Sequence, residues 1–410
     1  METNSLETLF SLFGYVPIDT PVLEFAEVLL GKGGGETDKQ VFRFTDHGGR
    51  DVALRYDLTV PFARFMAAHI AELPLPFRRF HAAKVWRGEN TQRGRYREFV
   101  QVDFDIVGAD SASADLEILL QIRECMKALG MEKSSIRFAH RGIFNEFLGR
   151  IGIRERSEEV LRTIDKERKI GEEAAKEMLA KIAGPEAASA ILDFTRVEGD
   201  FAATLRKLEK SAGGDCEGIA RIASIGRCLE EVGASSAFIL DPSITRGLDY
   251  YTGIVFETFL DDLPSIGSIC SGGRYNDLAS LYTRQKLPGV GSSIGLDRLM
   301  AAMEELRLEG NGASAASVLV LCLDESLLGS CHRFAGAFRA AGMPAEVFPE
   351  KRKLALQFAY AEKRGIPLAL VYGEEEARAG RVGLKDLRRR ESHGPLNLEN
   401  AIEKAKELLK

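Results

Sequence analysis

At 410 residues, 45% of them apolar, the chain is too long for one ordinary core and is expected to fold as two or three domains. A net charge of −6 argues against a protein that coats nucleic acid indiscriminately, because neutralising phosphates takes clustered Lys and Arg. No apolar run reaches the ~20 residues of a membrane helix and no charged leader is read, so a cytoplasmic protein with no membrane partner is expected. Six scattered cysteines without a CxxC pair argue against a disulfide framework or a structural zinc, and no metal ligands are assigned.

In chain order, Glu24 to Leu30 reads as helical, Gly31 to Gly35 as a break, and Val41–Phe44 and Val52–Tyr56 as alternating strands joined by a His47-Gly48-Gly49 turn. Asp57 and Thr59 follow, two apart, a spacing at which both can hydrogen-bond an ammonium group. An acid is required there if the ammonium is buried. The plainer reading makes Asp57 a turn residue before a proline-ended strand.

Phe77–Trp86 and Phe99–Val107 read as strands flanking a loop that carries Arg87, Arg93, Arg95 and Arg97. Several guanidiniums around one loop can clamp a polyphosphate. A solvated hairpin tip also explains the arginines, but not Phe99 and Gln101 at strand spacing. Alternation then puts Gln101, Asp103 and Asp105 on one face.

Ser113 to Leu129 has helical spacing after a Ser-Ala-Asp start that can cap it. Residues 141–232 are almost purely helical, with breaks at Gly184-Pro185 and Gly213-Gly214. They read as an insertion between a first part, 1–140, and a second part, 233–312, of one domain. Strand-like sequence returns at Phe238. The string from Thr245 to Gly253 sets Arg246, Tyr250 and Tyr251 beside glycines, where a guanidinium can hold a carboxylate or phosphate while phenols bond a small polar ligand.

Ser271-Gly272-Gly273-Arg274-Tyr275 can let backbone approach a ligand, or be a tight turn. Gly289 to Leu299 reads as a strand entering a helix, with Gly295 at the corner and Arg298 just after it. A Walker lysine loop is absent. Residues 310–316 read as a flexible linker. Beyond it, Val318–Leu321, Ala345–Phe348 and Leu368–Tyr372 read as buried strands alternating with helices at Leu327–Ala341 and Leu354–Arg364, an α/β domain (316–410) around a largely parallel sheet. Its Glu350–Lys353 and Arg388–Arg390 stretches can touch nucleic-acid phosphates, and on charge alone read equally well as solvated faces.

These strings, in this order, resemble the histidyl-tRNA synthetases, a family of class II aminoacyl-tRNA synthetases, from about Gly14 to the C-terminus. Arg246 to Tyr251 resembles the family's histidine-specific motif, and Arg87 to Phe99 its motif 2. Gly289 to Leu299 resembles motif 3. Ser271 to Tyr275 resembles the second histidine motif, with Asn276-Asp277-Leu278 departing from its usual ending. The resemblance implies an α+β fold: a class II antiparallel sheet flanked by helices, a helical insertion, and a C-terminal α/β anticodon-binding-like domain.

It implies a histidine–tRNA ligase that converts L-histidine and ATP, accompanied by Mg2+, to histidyl-adenylate and passes the histidyl group to tRNA(His). Arg87, Arg246 and Gln101 would be the catalytic set. Arg87, Glu89, Arg95, Arg97, Phe99 and Arg298 would bind ATP. Asp57, Thr59, Gln101, Asp105, Arg246, Tyr250 and Tyr251 would bind histidine, with Asp105 taking the imidazole. QVDFDIVG and LRYDLTVPF resemble the eukaryotic-type subgroup, since bacterial relatives usually carry Glu at the place of Asp105. A homodimer is implied through the segment from Pro17 to Pro21, and the N-terminal segment reads as short for the family. The alternative is a non-catalytic paralogue, such as the regulatory subunit of an ATP phosphoribosyltransferase.

Overall fold

The computed structural model describes residues 2–30, 40–245, 250–308 and 314–409, in two units, Met1–Leu308 and Glu309–Lys410. The first opens with α1 (Glu2–Leu12), whose Leu6 and Phe10 are fully buried. The Phe10 ring lies 5.2 Å from Phe80 and 5.1 Å from Phe104, a close aromatic cluster under the main sheet. After β1 (Val16–Pro17), the strands β2 (Leu23–Phe25), β3 (Arg43–Thr45) and β4 (Asp51–Leu54) form a small sheet in the order β2-β4-β3.

Only α2 (Ala26–Leu30) is helical in the stretch expected to be helix from Glu24. Leu23 to Phe25 instead pairs antiparallel with β4, because a ladder partner outweighs weak helix propensity. Asp57 does not precede a proline-ended strand: Thr59 begins α3 (Thr59–His69), with Pro61 in its first turn, where the missing N–H costs nothing. The hairpin strands β5 (Phe77–Trp86) and β6 (Glu98–Val107) follow. Val102, Phe104 and Ile106 are buried in the core beneath the sheet, each worth roughly 1.5–3 kcal/mol. Gln101, Asp103 and Asp105 take the other face.

α4 (Ala112–Ala128) starts earlier than read. Ser111 caps it by accepting from the Ala114 N–H at 3.2 Å, while Asp115 is drawn into the core. There both oxygen–nitrogen contacts from Arg274 to Asp115 Oδ1 are short, at 2.9 and 2.7 Å. After β7 (Ser134–His140) come α5 (Arg141–Arg150), α6 (Ser157–Ile170), α7 (Glu172–Ala183), α8 (Pro185–Thr195), α9 (Phe201–Ala212) and α10 (Glu217–Glu231). Arg221 of α10 reaches Asp115 and Asp110, at 3.2 and 2.7 Å, and so joins α10 to the buried Arg274 pair.

The chain then completes the sheet with β8 (Phe238–Leu240), β9 (Ile254–Leu260), β10 (Cys270–Arg274) and β11 (Gly289–Gly295), and turns into α11 (Leu296–Glu305). The strand order is β1-β5-β6-β11-β10-β9-β7-β8, antiparallel except at its two ends, where β1 joins β5 and β8 joins β7. The expected antiparallel sheet flanked by helices is therefore present.

In the second unit, β12 (Val318–Val320), α12 (Leu328–Ala340), β13 (Ala345–Val347), α13 (Leu354–Arg364) and β14 (Leu368–Val371) alternate as expected. The sheet is mixed rather than largely parallel. After α14 (Glu374–Ala379), β15 (Val382–Asp386) and β16 (Glu391–Leu396) add antiparallel strands in the order β13-β12-β14-β15-β16, and α15 (Leu398–Leu409) closes the unit. The fully buried Gln357 of α13 pairs with both the N–H and the C=O of Cys322, at 2.9 and 2.7 Å. It acts as a substitute strand where β12 ends.

Candidate active site

The polar face of β6 and β11 forms the floor of a cavity of about 470 Å³. Gln101 donates from Nε2 to Ser293 Oγ at 2.6 Å, which fixes the amide and leaves its buried Oε1 without a partner. Asp103, two residues on, is 2% exposed, and its Oδ1 is also unpartnered. Buried acceptors without partners cost about 1–3 kcal/mol each, so they point to a ligand with donors. Burial pushes the Asp103 carboxyl up to about 7, against the pull of Arg79.

One wall comes from the turn before α3. Asp57 Oδ1 accepts from the Val60 N–H at 3.1 Å, which locks the carboxylate at the helix start. Burial raises it to about 6, opposed by that hydrogen bond and by Arg87. Tyr250 and Tyr251 stand beside it with ring centroids 4.9 Å apart, edge to face. A Cβ on Gly273 would come within 2.9 Å of the Tyr251 ring, so this glycine makes room for the phenol. Ser271 and Gly272 line the cavity, but Arg274 turns to the opposite face and Asp115.

The opposite wall is the arginine loop. Arg87 donates from Nε to the Tyr56 carbonyl at 2.8 Å, and its guanidinium lies 5.1 Å from the Phe99 ring centroid. Glu89 lies 4.0 Å from Arg87 and 3.7 Å from Arg95, holding both cations at the rim. Gly94, at φ 69°, packs 3.3 Å from the Arg298 Cα, measured from the position a Cβ would take. That conformation and that tight contact both favour glycine. Arg298 donates to the Ser268 carbonyl at 2.5 Å, and Asp297 accepts from the Val100 N–H at 2.7 Å, so the first turn of α11 is tied to the floor. Gly295 lines the cavity at the corner, where a Cβ would meet nothing nearer than 4.0 Å.

Asp57, Thr59, Arg87, Glu89, Arg95, Phe99, Gln101, Tyr250, Tyr251 and Arg298 thus share one cavity. Two expected residues do not line it. Arg97 is exposed, and its carbonyl accepts from the Arg87 N–H at 2.9 Å. Asp105 lies behind the floor, 2.7 Å from the fully buried Arg79, and accepts from the Tyr275 hydroxyl. Arg246 lies outside the described residues, as does most of the linker read at 310–316.

Sequence reading gave Asp103 no role and missed Arg141 altogether. Arg141, the first residue of α5, donates to the Tyr251 carbonyl at 2.9 Å and to the Thr245 carbonyl at 3.5 Å. It also missed α6, whose Arg162, Asp165 and Lys166 form part of the cavity wall. No local motif marks a helix of an insertion as part of a site.

The family model described as histidyl-tRNA synthetase matches residues 2–299, and that of an anticodon binding domain matches residues 317–408. A histidine–tRNA ligase of Treponema denticola is 51% identical over 369 residues, 88% of this chain and 82% of that protein. One from Rhodopirellula baltica is 45% identical over 94% of this chain and 88% of its own length. The crystal structure of the Nostoc histidyl-tRNA synthetase superimposes with a TM-score of 0.88 at 30% identity, covering 99% of this chain and 94% of that one. These relatives are bacterial, and nothing among them supports the eukaryotic-type likeness read from QVDFDIVG.

Proposed function

The chain belongs to the histidyl-tRNA synthetase family and is a histidine–tRNA ligase; from that premise we propose how its residues divide the work. A carboxylate oxygen of histidine attacks the α-phosphorus of ATP, the bond to the β-phosphate oxygen breaks, and pyrophosphate leaves. A ribose hydroxyl at the end of tRNA(His) then attacks the carbonyl carbon of the adenylate, loses its proton, and the bond to the phosphate oxygen breaks to release AMP.

Arg87 holds the α-phosphate and the histidine carboxylate, and Phe99 stacks on the adenine whose edge meets Glu89. Arg95 and Arg298 take the outer phosphates, with Arg97 approaching when the loop is engaged. Asp57, Thr59 and Gln101 receive the α-ammonium of histidine, and Tyr250 and Tyr251 close over its ring. The resemblance assigns Arg246 to the α-phosphate beside Arg87. Displacement at phosphorus is accelerated mostly by fixed charge and positioning, which such clamps supply.

The supporting observation is the convergence of ten of these residues, from separate segments, on one cavity. Mg2+ would accompany ATP on its phosphates, and no step is routed through it. A regulatory paralogue is disfavoured by the persistence of Arg87, Glu89 and Arg298 together with the second unit.

A homodimer and cytoplasmic residence belong to the same proposal. Val16, Val22, Leu23 and Phe25 are exposed large apolar side chains on either side of the Pro17 to Pro21 segment, a pattern suited to a partner subunit. Among the described residues no helix is long and apolar enough to cross a membrane. The deciding experiment is histidine-dependent exchange of pyrophosphate into ATP, followed by charging of total tRNA with each amino acid. Exchange and charging with histidine alone are expected; a folded protein without exchange defeats the assignment of roles.

A further inference from the structure

We infer that Arg55 is a positioning residue for adenylation, one that fixes the Arg87 guanidinium without lining the cavity itself. This rests on the ligase reading above, in which Arg87 serves the α-phosphate, and adds a residue to which that reading gives no part.

Residues 55–58 form an irregular connection between β4 and α3. Such a connection has no ladder of its own, yet the Tyr56 carbonyl within it accepts from Arg87 Nε at 2.8 Å. Arginine is long and rich in rotamers, so its head group is only as well placed as the acceptor that holds it. The position of Tyr56 therefore matters to a charge at the reacting phosphate.

Arg55, the neighbour of Tyr56, is held through its backbone and its side chain. Its N–H donates to the Val22 carbonyl and its carbonyl accepts from the Trp86 N–H, each at 3.0 Å. The side chain is buried, and Nε donates to the Lys84 carbonyl at 3.0 Å. Nη1 donates to the Thr20 carbonyl and, at 3.3 Å each, to Thr20 Oγ1 and Asp19 Oδ1. Asp19 Oδ1 also accepts from the Thr20 N–H at 2.8 Å and lies 2.7 Å from His81 Nε2. One planar fork thus spans from β5 to the segment after β1, a reach that a lysine ammonium does not have.

The arrangement substitutes for a missing strand. On the edge of β5 away from β6, β1 pairs only with Arg79 and Phe80. Further along that edge Lys84 and Trp86 still present a carbonyl and an N–H that need partners. Arg55 supplies the donor for one and the acceptor for the other, and the next carbonyl, that of Tyr56, takes Arg87. Lys84, Trp86 and Arg87 are laced to residues 55 and 56 at three successive points. Arg55 makes two of them, so a shift at Arg55 is passed to the cation one step on.

The test is a double-mutant cycle on full-length protein, Arg55→Lys with Arg87→Ala, read by histidine-dependent pyrophosphate exchange. R55K keeps the charge and much of the volume but loses the fork. It is expected to lower kcat roughly 10- to 100-fold, the scale of a misplacement of about 1 Å. KM for ATP and for histidine should each stay within about threefold of wild type, because the misplaced charge acts chiefly in the transition state. In the R87A background the same substitution should change kcat by less than about threefold, since the group that it positions is gone. A residue that only supports the fold would cost the same factor in both backgrounds.

Urea titration followed by Trp86 fluorescence establishes that each variant is folded under the assay conditions. If R55K is not, Thr20→Val takes its place in the cycle: it removes one acceptor from the fork and should lower kcat roughly 2- to 10-fold, the scale of one hydrogen bond. Additive losses in the cycle, or no loss of kcat in the folded variant, overturn the inference. Wild-type protein that shows no histidine-dependent exchange would instead sink the ligase reading on which it rests.

Discussion

Replacing Arg79 by leucine tests the most exposed assumption about the floor, that a guanidinium buried in the sheet keeps two carboxylates tolerable beneath the ligand. Arg79 is 0% exposed, 2.7 Å from Asp105 and 3.9 Å from Asp103, and sits 4.3 Å from the centroid of the Phe62 ring. At 2.7 Å the direct attraction to Asp105 is roughly 6 kcal/mol at an effective dielectric of about 20, but desolvation offsets much of it. Removing one partner of such a pair typically costs about 3–5 kcal/mol, because the other charge stays buried.

The sign of the pH effect follows from the carboxylates. Burial already raises Asp105 and Asp103 above their usual range while Arg79 opposes it, so Arg79→Leu raises them further. A folded-state pKa above the unfolded one costs nothing below the unfolded value and the full amount above the folded value. The destabilisation should thus grow from pH 5 to pH 8, approaching the full 3–5 kcal/mol only at the upper end. The chain's single tryptophan, Trp86, ends β5 and reports unfolding of the first unit by fluorescence in a urea titration. A loss under about 1 kcal/mol, or one that is flat across pH 5–8, refutes the reasoning.

Arg87→Ala should lower kcat for exchange by roughly 10²–10³ while urea midpoints stay close to wild type, because a fixed charge at the reacting phosphate is lost. Phe99→Ala should raise KM for ATP by roughly 5- to 100-fold, the scale of one base stacked on an aromatic ring, without a matching change for histidine; an unchanged ATP dependence removes Phe99 from the adenine site. Gly291→Ala places a Cβ 1.9 Å from Asp105 Oδ1 and should lower the melting temperature of the first unit by several degrees. A melting curve superimposable on wild type would show that the strand can shift to accept it.

Much of the architecture was legible because it rests on periodicity. The alternation through Phe77–Trp86 and Phe99–Val107 gave the central hairpin, and the breaks at Gly184 and Gly213 fall between helices in the structure, where both glycines have positive φ. The arginine loop was legible because four guanidiniums close together demand an explanation. Depth was not. That Asp103 lines the cavity while Asp105 pairs with Arg79 behind it depends on how the hairpin's strands pair, Arg79 opposite Asp105 and His81 opposite Asp103, which neither strand shows alone.

Leu23 to Phe25 was misread for a related reason, since its strand partner β4 is about 30 residues away. β16 went unread because it is an edge strand with mostly exposed residues and a proline, Pro395, leaving no apolar alternation to detect. The contribution of α6 to the cavity wall has no sequence signature at all.

Arg141 carries one further implication. Its guanidinium grips two carbonyls, those of Thr245 and Tyr251, that bracket Arg246 to Asp249. Two anchors on one rigid fork make the number of residues between them a fixed quantity. Adding or deleting a single residue between them would pull Tyr251 out of the pocket or release the clamp, so the length of chain is constrained here independently of the chemistry that Arg246 and Tyr250 supply.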